Sequence, residues 1–309
     1  MHVFVTGGIG HAGSYIIPEL IAAGHDVTGL ARSDAAAAAL SALGAKVRRG
    51  DLADLDGLKD VAADSDGVIH TASNRDLLQS GQVATVVAQD LAAVLAFGEA
   101  LEEAGKPLVA ASSIGAPGNL GRPATEDDPA VPSGEEDKGT LKGRNDVENV
   151  AVGLAERGVR SSVVRLPTIS HSTSDRTGFL VQLIALAKEK GFAGYPGDGA
   201  NLWNAVHARD AASLFHLALE NAPAGTRFHA IADEGIPFRE IAQAIGAHLG
   251  LTAESVPADR VPAHFGFLAY PARLDLPASS LITRRTLGWE PAHPGLLADL
   301  DNGHYFAAS

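Results

Sequence analysis

The chain has 309 residues, 46% hydrophobic and 20% charged, with a formal net charge of −13 and no cysteine. That balance suits a soluble enzyme with a substantial core and excludes a phosphate-backbone binder, whose affinity rests on clustered Lys and Arg. The missing cysteines exclude disulfides, thiolate metal sites and a cysteine nucleophile. No apolar stretch of about 18 residues is expected to span a bilayer. The chain opens on a strand rather than on a basic leader, so the expected compartment is the cytoplasm.

His2–Thr6 reads as a short apolar strand that runs directly into Thr6-Gly7-Gly8-Ile9-Gly10-His11-Ala12-Gly13. Ser14–Ala23 then carries Ile16, Ile17, Leu20 and Ile21 at helical spacing. In a strand–turn–helix context each glycine has a physical role. Gly7 permits the tight turn, Gly10 lets backbone N–H groups approach a phosphate, and Gly13 allows the helix to pack closely on the sheet. The helix N-terminus adds unpaired donors and partial positive charge for a diphosphate.

Further strands are expected at Asp26–Leu30, Lys46–Arg49, Gly67–Thr71, Leu108–Ser112, Ser161–Leu166 and Phe228–Ile231. Helices are expected at Asp34–Leu43, Leu55–Ala63, Val83–Ala104 and Arg144–Arg157, several of them closed by glycine. This alternation implies right-handed crossovers and an α/β fold built on a doubly wound parallel sheet. The alanine-rich Val83–Ala104 suits packing on the sheet or against a partner subunit, so 83–104 and 144–157 are the candidate surfaces of a homodimer. Asn119–Thr140 reads as a surface loop whose acids, Glu126, Asp127, Asp128, Glu135, Glu136 and Asp137, form a solvated face. Beyond Ile169 the alternation loosens, with helices at Gly178–Gly191 and Pro237–Leu249, as expected of a smaller lobe over a substrate.

These residues together resemble the extended and atypical short-chain dehydrogenase/reductase superfamily, in particular its epimerase/dehydratase-like and 3β-hydroxysteroid-dehydrogenase-like members. The turn is similar to the pattern TGxxGxxG. Gly50-Asp51-Leu52 follows the third strand, His70-Thr71-Ala72-Ser73 ends the fourth, Ser112-Ser113 the fifth and Arg165-Leu166-Pro167-Thr168 the sixth. Gly197-Asp198-Gly199, with Asn201, Trp203, Val206, His207 and Asp210, resembles the late signature, and Leu287-Gly288-Trp289-Glu290-Pro291 the C-terminal box. The resemblance implies a Rossmann-type domain over 1–168, with 197–232 returning to it, and a substrate-binding lobe of 169–196 and 233–309. It also implies cofactor contacts from Thr6, Gly7, Ile9, Gly10, His11, Gly13, Asp51, Leu52, Thr71, Ala72, Ser73, Ser112, Pro167 and Thr168.

The tip of the second strand, Gly29-Leu30-Ala31-Arg32-Ser33, has no carboxylate to accept from a free ribose hydroxyl. Arg32 can instead form a charge-assisted bond to a 2′-phosphate, with Ser33 adding a hydroxyl, so the expected cofactor is NADP(H).

The superfamily's Tyr-x-x-x-Lys dyad is absent. Its helix here begins Leu141-Lys142-Gly143-Arg144-Asn145, which places Thr140 at the Tyr position and Arg144 at the Lys position. A threonine hydroxyl titrates too high for acid–base work near neutrality, and Arg144 can hold a ribose but cannot relay a proton. Ser113 matches the catalytic serine, and His171, four residues after Pro167, is a candidate proton donor. Tyr195 is a further candidate, whereas His70, His207 and Asp210 read as structural, Asp210 as the cap of a helix at Ala211–Leu219. No histidine pair has the spacing of a metal site. The leading expectation is hydride transfer to a carbonyl or imine of a small to medium apolar substrate. The competing ones are a non-catalytic NADP(H) sensor and a sugar-nucleotide-type epimerase or dehydratase.

Overall fold

In the computed structural model, which describes residues 1–102, 104–137 and 140–307, β1 (His2–Thr6) is an interior strand of a seven-stranded sheet. Along the chain follow α1 (Gly13–Ala22), β2 (Asp26–Ala31), α2 (Asp34–Ala42), β3 (Lys46–Arg49), α3 (Leu55–Ala63) and β4 (Gly67–His70). Next come α4 (Arg75–Gln79), α5 (Val83–Leu101), β5 (Pro107–Ser113), α6 (Gly143–Gly153) and β6 (Arg160–Leu166). The sheet is closed by β10 (Thr226–His229), in the order β10-β6-β5-β4-β1-β2-β3, and every neighbouring pair is parallel.

Two cores flank this sheet because successive strand side chains point to opposite faces. Val3 and Val5 face α1, α2 and α8 (Ala208–Asn221), meeting Ile16, Leu40 and Phe215. Phe4 faces α3, α5 and α6, meeting Leu58, Phe97 and Val147. By length and composition α5 could cross a membrane, its most apolar window having a mean hydropathy of 1.5, which corrects the expectation that the chain holds no such stretch. In this fold α5 packs between α3 and α6 and buries Val94, Phe97 and Leu101.

A third core lies in the lobe. It gathers β7 (Ile169–His171), α7 (Phe179–Lys190), β8 (Ala193–Pro196), β9 (Leu202–His207), β11 (Asp233–Pro237), α9 (Phe238–Leu249), β12 (Ala253–Val256) and α10 (Val261–Phe265). Trp203, Phe238 and Phe265 lie at its centre. Here β9 pairs with β7 and β11 in a separate sheet, so of residues 197–232 it is α8 and β10 that rejoin the main sheet. The C-terminal segment is divided. Leu287, at the end of α11 (Leu281–Leu287), and Trp289 join the core beneath α8, whereas Leu296 and Leu300 of α12 (Leu296–Asp301) join the lobe.

Two sequence expectations about acids change. Glu126 is buried and accepts from the backbone N–H and hydroxyl of Thr283 at 2.7 and 2.6 Å, so it pins α11 rather than facing solvent. Asp210 sits inside the first turn of α8 and holds the N–H groups of Ala292 and His293 at 3.0 and 3.1 Å. The cap of that helix is His207, whose ring accepts from the Arg209 N–H at 3.2 Å.

Candidate active site and cofactor cradle

The strand order reverses between β1 and β4, and ligands of open α/β sheets bind outside the C-terminal strand ends at such a point. The glycine-rich turn leaves β1 there. Gly7 has φ of 75°, and a Cβ on it would lie 2.6 Å from the Ala72 backbone nitrogen. Gly13 stands against the Gly7 carbonyl, so any side chain would push α1 off the turn. The Gly10 N–H donates to the Gly7 carbonyl at 2.8 Å and fixes the loop, while Ile9 projects from its tip, 49% exposed. The ring of His11 packs edge-on against Tyr15.

Beside the turn, Thr71 donates its hydroxyl to the Thr6 carbonyl at 2.9 Å, which docks the end of β4 against β1. Ser73 Oγ and Thr168 Oγ1 are buried without a hydrogen-bond partner among the described residues, and the Thr168 N–H donates to Asn204 at 2.8 Å. Pro167 is half-buried before it. A glycine cradle at a helix N-terminus, at the point where the strand order reverses, fits a dinucleotide.

At the outer end of the cradle, Arg32 reaches Asp76 of α4 at 2.5 Å in an exposed pair. Ser33 caps α2, accepting from the Ala36 N–H at 3.2 Å. Asp51 accepts from the Ala53 N–H at 2.9 Å and shapes the loop after β3, with Leu52 half-buried against the α3–α5 core.

At the inner end a chain of buried polar groups runs from the turn to α6. Thr6 Oγ1 lies 2.7 Å from His70 Nδ1, and His70 Nε2 lies 3.0 Å from Asp90 on α5. Asp90 also meets the Arg144 guanidinium at 3.3 Å. Burial works to raise the Asp90 carboxyl, but the His70 hydrogen bond and the charges of His70 and Arg144 outweigh it and hold the group below the usual carboxylate range. His70 Nε2–H donates to Asp90, because an ionised carboxylate can only accept. Arg144 is therefore aimed into a cleft it shares with Thr71, Ala72 and Ser112.

Ser112 donates to Glu148 at 2.6 Å. Glu148 is buried and also takes Arg165 at 2.6 Å and Arg227 at 2.9 Å. Arg165 is fully buried and extends to the Asp128 carbonyl and to His229. Burial and the neighbouring Arg165 push His229 down to about 4, and its Nδ1–H donates to the Ser279 carbonyl at 2.7 Å. One residue further along β5, Ser113 is exposed and accepts from the Gly115 N–H at 3.2 Å, leaving its own proton to donate outward.

The other sequence candidates are placed elsewhere. The Thr140 hydroxyl closes a turn by donating to the Asp137 carbonyl at 2.8 Å. His171 is fully enclosed, its Nδ1 2.8 Å from Asp299 and its ring edge-on to His207. It thus belongs to a cluster behind the glycine-rich turn rather than to the Ser112–Arg144 cleft. Asp76, Asp90, Glu148 and Arg227 escaped the sequence reading. Only Asp90 leaves a trace in it, as a carboxylate in the middle of a largely apolar helix.

The profile of the NAD dependent epimerase/dehydratase family matches residues 3–231. The chain belongs to this family. An uncharacterized protein of Schizosaccharomyces pombe is 41% identical over 310 residues, spanning 99% of this chain and 100% of that one. The decarboxylating sterol-4-alpha-carboxylate 3-dehydrogenase of Dictyostelium discoideum is 29% identical over 249 residues, 77% of this chain and 74% of the other. Among solved structures, UDP-glucose-4-epimerase from Stenotrophomonas maltophila, with bound NAD and formylated UDP-arabinopyranose, superposes with a TM-score of 0.77. It is 21% identical, with 99% of this chain and 97% of that one covered, a likeness of fold. As an epimerase/dehydratase-family member the chain has the fold of nicotinamide-dinucleotide-dependent oxidoreductases, and the cradle at Gly7–Gly13 lies where that fold binds its dinucleotide.

Proposed function

We propose that this epimerase/dehydratase-family chain is an NADP(H)-dependent oxidoreductase acting on a carbonyl, imine or similar group of a small to medium apolar substrate. The observation that carries the reading is Arg144, anchored by the buried Asp90 in the cleft it shares with Ser112, one residue before the exposed Ser113 at the end of β5. The bound dinucleotide supplies the hydride. Ser113 donates a hydrogen bond to the acceptor oxygen or nitrogen, polarises it and stabilises the charge that develops there. Arg144 holds the nicotinamide ribose and lends positive charge to the cleft. Bound there, the dinucleotide would deliver its hydride to the acceptor carbon, and the acceptor heteroatom, its π bond broken, would take a proton from water. The placements of Thr140 and His171 favour water as the donor over either side chain.

The preference for NADP(H) rests on Arg32. Its partner Asp76 is exposed, and an exposed ion pair contributes only about 0–1 kcal/mol, so a 2′-phosphate can displace it. NADPH and NADH affinities, measured by fluorescence titration, test this. Arg32→Ala is expected to cut the NADPH preference about 10- to 100-fold, the worth of a hydrogen bond to a charged group. Asp76→Ala, which frees Arg32 and removes a repelling charge, is expected to raise it. An unchanged ratio in Arg32→Ala sinks the cofactor assignment. NADPH consumption over a panel of ketones, aldehydes and imines tests the reaction, and tight NADPH binding with no turnover on any of them would favour a sensor.

A further inference from the structure

At the opposite, N-terminal edge of the sheet, three side chains from distant parts of the sequence converge. His25 immediately precedes β2, and His216 and Glu220 lie one turn apart on α8. Their ligand atoms all fall within 4.8 Å of one another. Glu220 Oε1 is 3.2 Å from His25 Nε2 and 3.4 Å from His216 Nε2. A tetrahedral ion with bonds of about 2.0–2.1 Å sets its ligands about 3.3 Å apart, so these edges already match such a site.

The polar bookkeeping points the same way. Both Nε2 atoms are buried and neither makes an aligned hydrogen bond among the described residues, although a carboxylate oxygen faces each of them. On its other side, His216 Nδ1 faces Glu19 of α1 at 3.5 Å. A carboxylate on the second nitrogen is the arrangement that fixes the tautomer and turns the Nε2 lone pair toward a metal.

We propose that His25, His216 and Glu220 form a site for a divalent transition cation of the zinc type, which ties the start of β2 to α8. Two imidazoles and a carboxylate are the donor set for zinc, cobalt or nickel rather than for magnesium or calcium, which take oxygen ligands. Glu220 is 39% exposed, so solvent supplies the fourth ligand. The site stands one strand length, about 20 Å, from Arg32 at the far end of β2, so its role is structural and separate from the cofactor cradle.

The test uses the whole chain, stripped with a chelator and titrated with Co2+. One equivalent is expected to bind with the intense visible absorption of tetrahedral cobalt, and Zn2+ is expected to displace it. At about 100-fold over its Kd, Zn2+ should raise Tm by on the order of 5 °C, whereas Mg2+ should not. His216→Gln and Glu220→Gln should each weaken Co2+ binding at least about 10-fold, because losing a ligand costs no less than losing a group that only orients one. Circular dichroism confirms that each variant is folded. Cobalt retaining its octahedral spectrum at saturation, or binding both variants as tightly as the parent, overturns the site.

Discussion

Asp90 holds two groups at once, the His70 ring at 3.0 Å and the Arg144 guanidinium at 3.3 Å, from a position 4% exposed. Its charge orients Arg144, and its burial makes the arrangement stiff. Asp90→Asn keeps the shape but removes the charge, so Arg144 loses the partner that directs it into the cleft. The expected outcome is a loss of about 1–3 kcal/mol in urea unfolding and roughly 10-fold weaker NADPH binding, with the smaller change for NADPH at low ionic strength. A variant that binds NADPH as the parent does would mean that Arg144 does not depend on Asp90. Helical periodicity places residue 90 on α5 but cannot reveal that a strand-end histidine meets it, which is why its partners were illegible from sequence. The turn built on Gly7, Gly10 and Gly13 was legible because it depends on local order along one strand, turn and helix.

At the scale of elements, α6 carries Arg144 and Glu148 one turn apart, on one face, where i and i+4 side chains align. The first serves the cleft and the second serves the core. Glu148 gathers Ser112 from β5, Arg165 from β6 and Arg227 from β10, so a single carboxylate ties a helix to three strands. Glu148→Gln leaves two guanidinium groups, one fully buried, without their counter-charge. Breaking a buried pair from one side costs about 3–5 kcal/mol, and a shift of the urea midpoint at constant m-value should report it. A midpoint that stays in place would show that the Asp128 carbonyl and His229 suffice for Arg165. The strands and helices around this knot were readable from periods of two and 3.6, and β3 and α3 fall at the expected residues. Partner choice was not readable, because it is settled by long-range packing. Thus β9 looks like another sheet strand yet joins β7 and β11, and Trp289, far along the chain, returns beneath α8 to donate its indole N–H to the Asp210 carbonyl at 2.9 Å.

For the whole molecule, α5 presents Ala84, Ala88 and Leu95 outward, the last 38% exposed, beside α6. We propose that two copies pair through these helices about a twofold axis, the commonest closed symmetry. Leu95→Glu is then expected to convert a dimer into a monomer by light scattering, and a monomeric parent would end the proposal. The stability of either form should also depend on pH through two enclosed histidines. Burial and Arg165 hold His229 at about 4, and burial with His171 and His293 holds His207 at about 4. Unfolded, each titrates near about 6.5, so between those values unfolding takes up protons and acid favours the unfolded chain. Stability is therefore complete above about pH 6.5 and falls as the pH drops toward 4, by up to about 3 kcal/mol for each histidine. Only below that window do the carboxylates add their loss, since Asp90 and Asp128, both held below the usual range, shed stabilisation as they protonate. Urea unfolding at intervals from pH 7.5 to 4.5 should thus show a slope approaching two protons, reduced by one in His229→Gln. Unfolding free energy that stays level from pH 7 to 5 would mean that neither ring is held neutral in the folded chain.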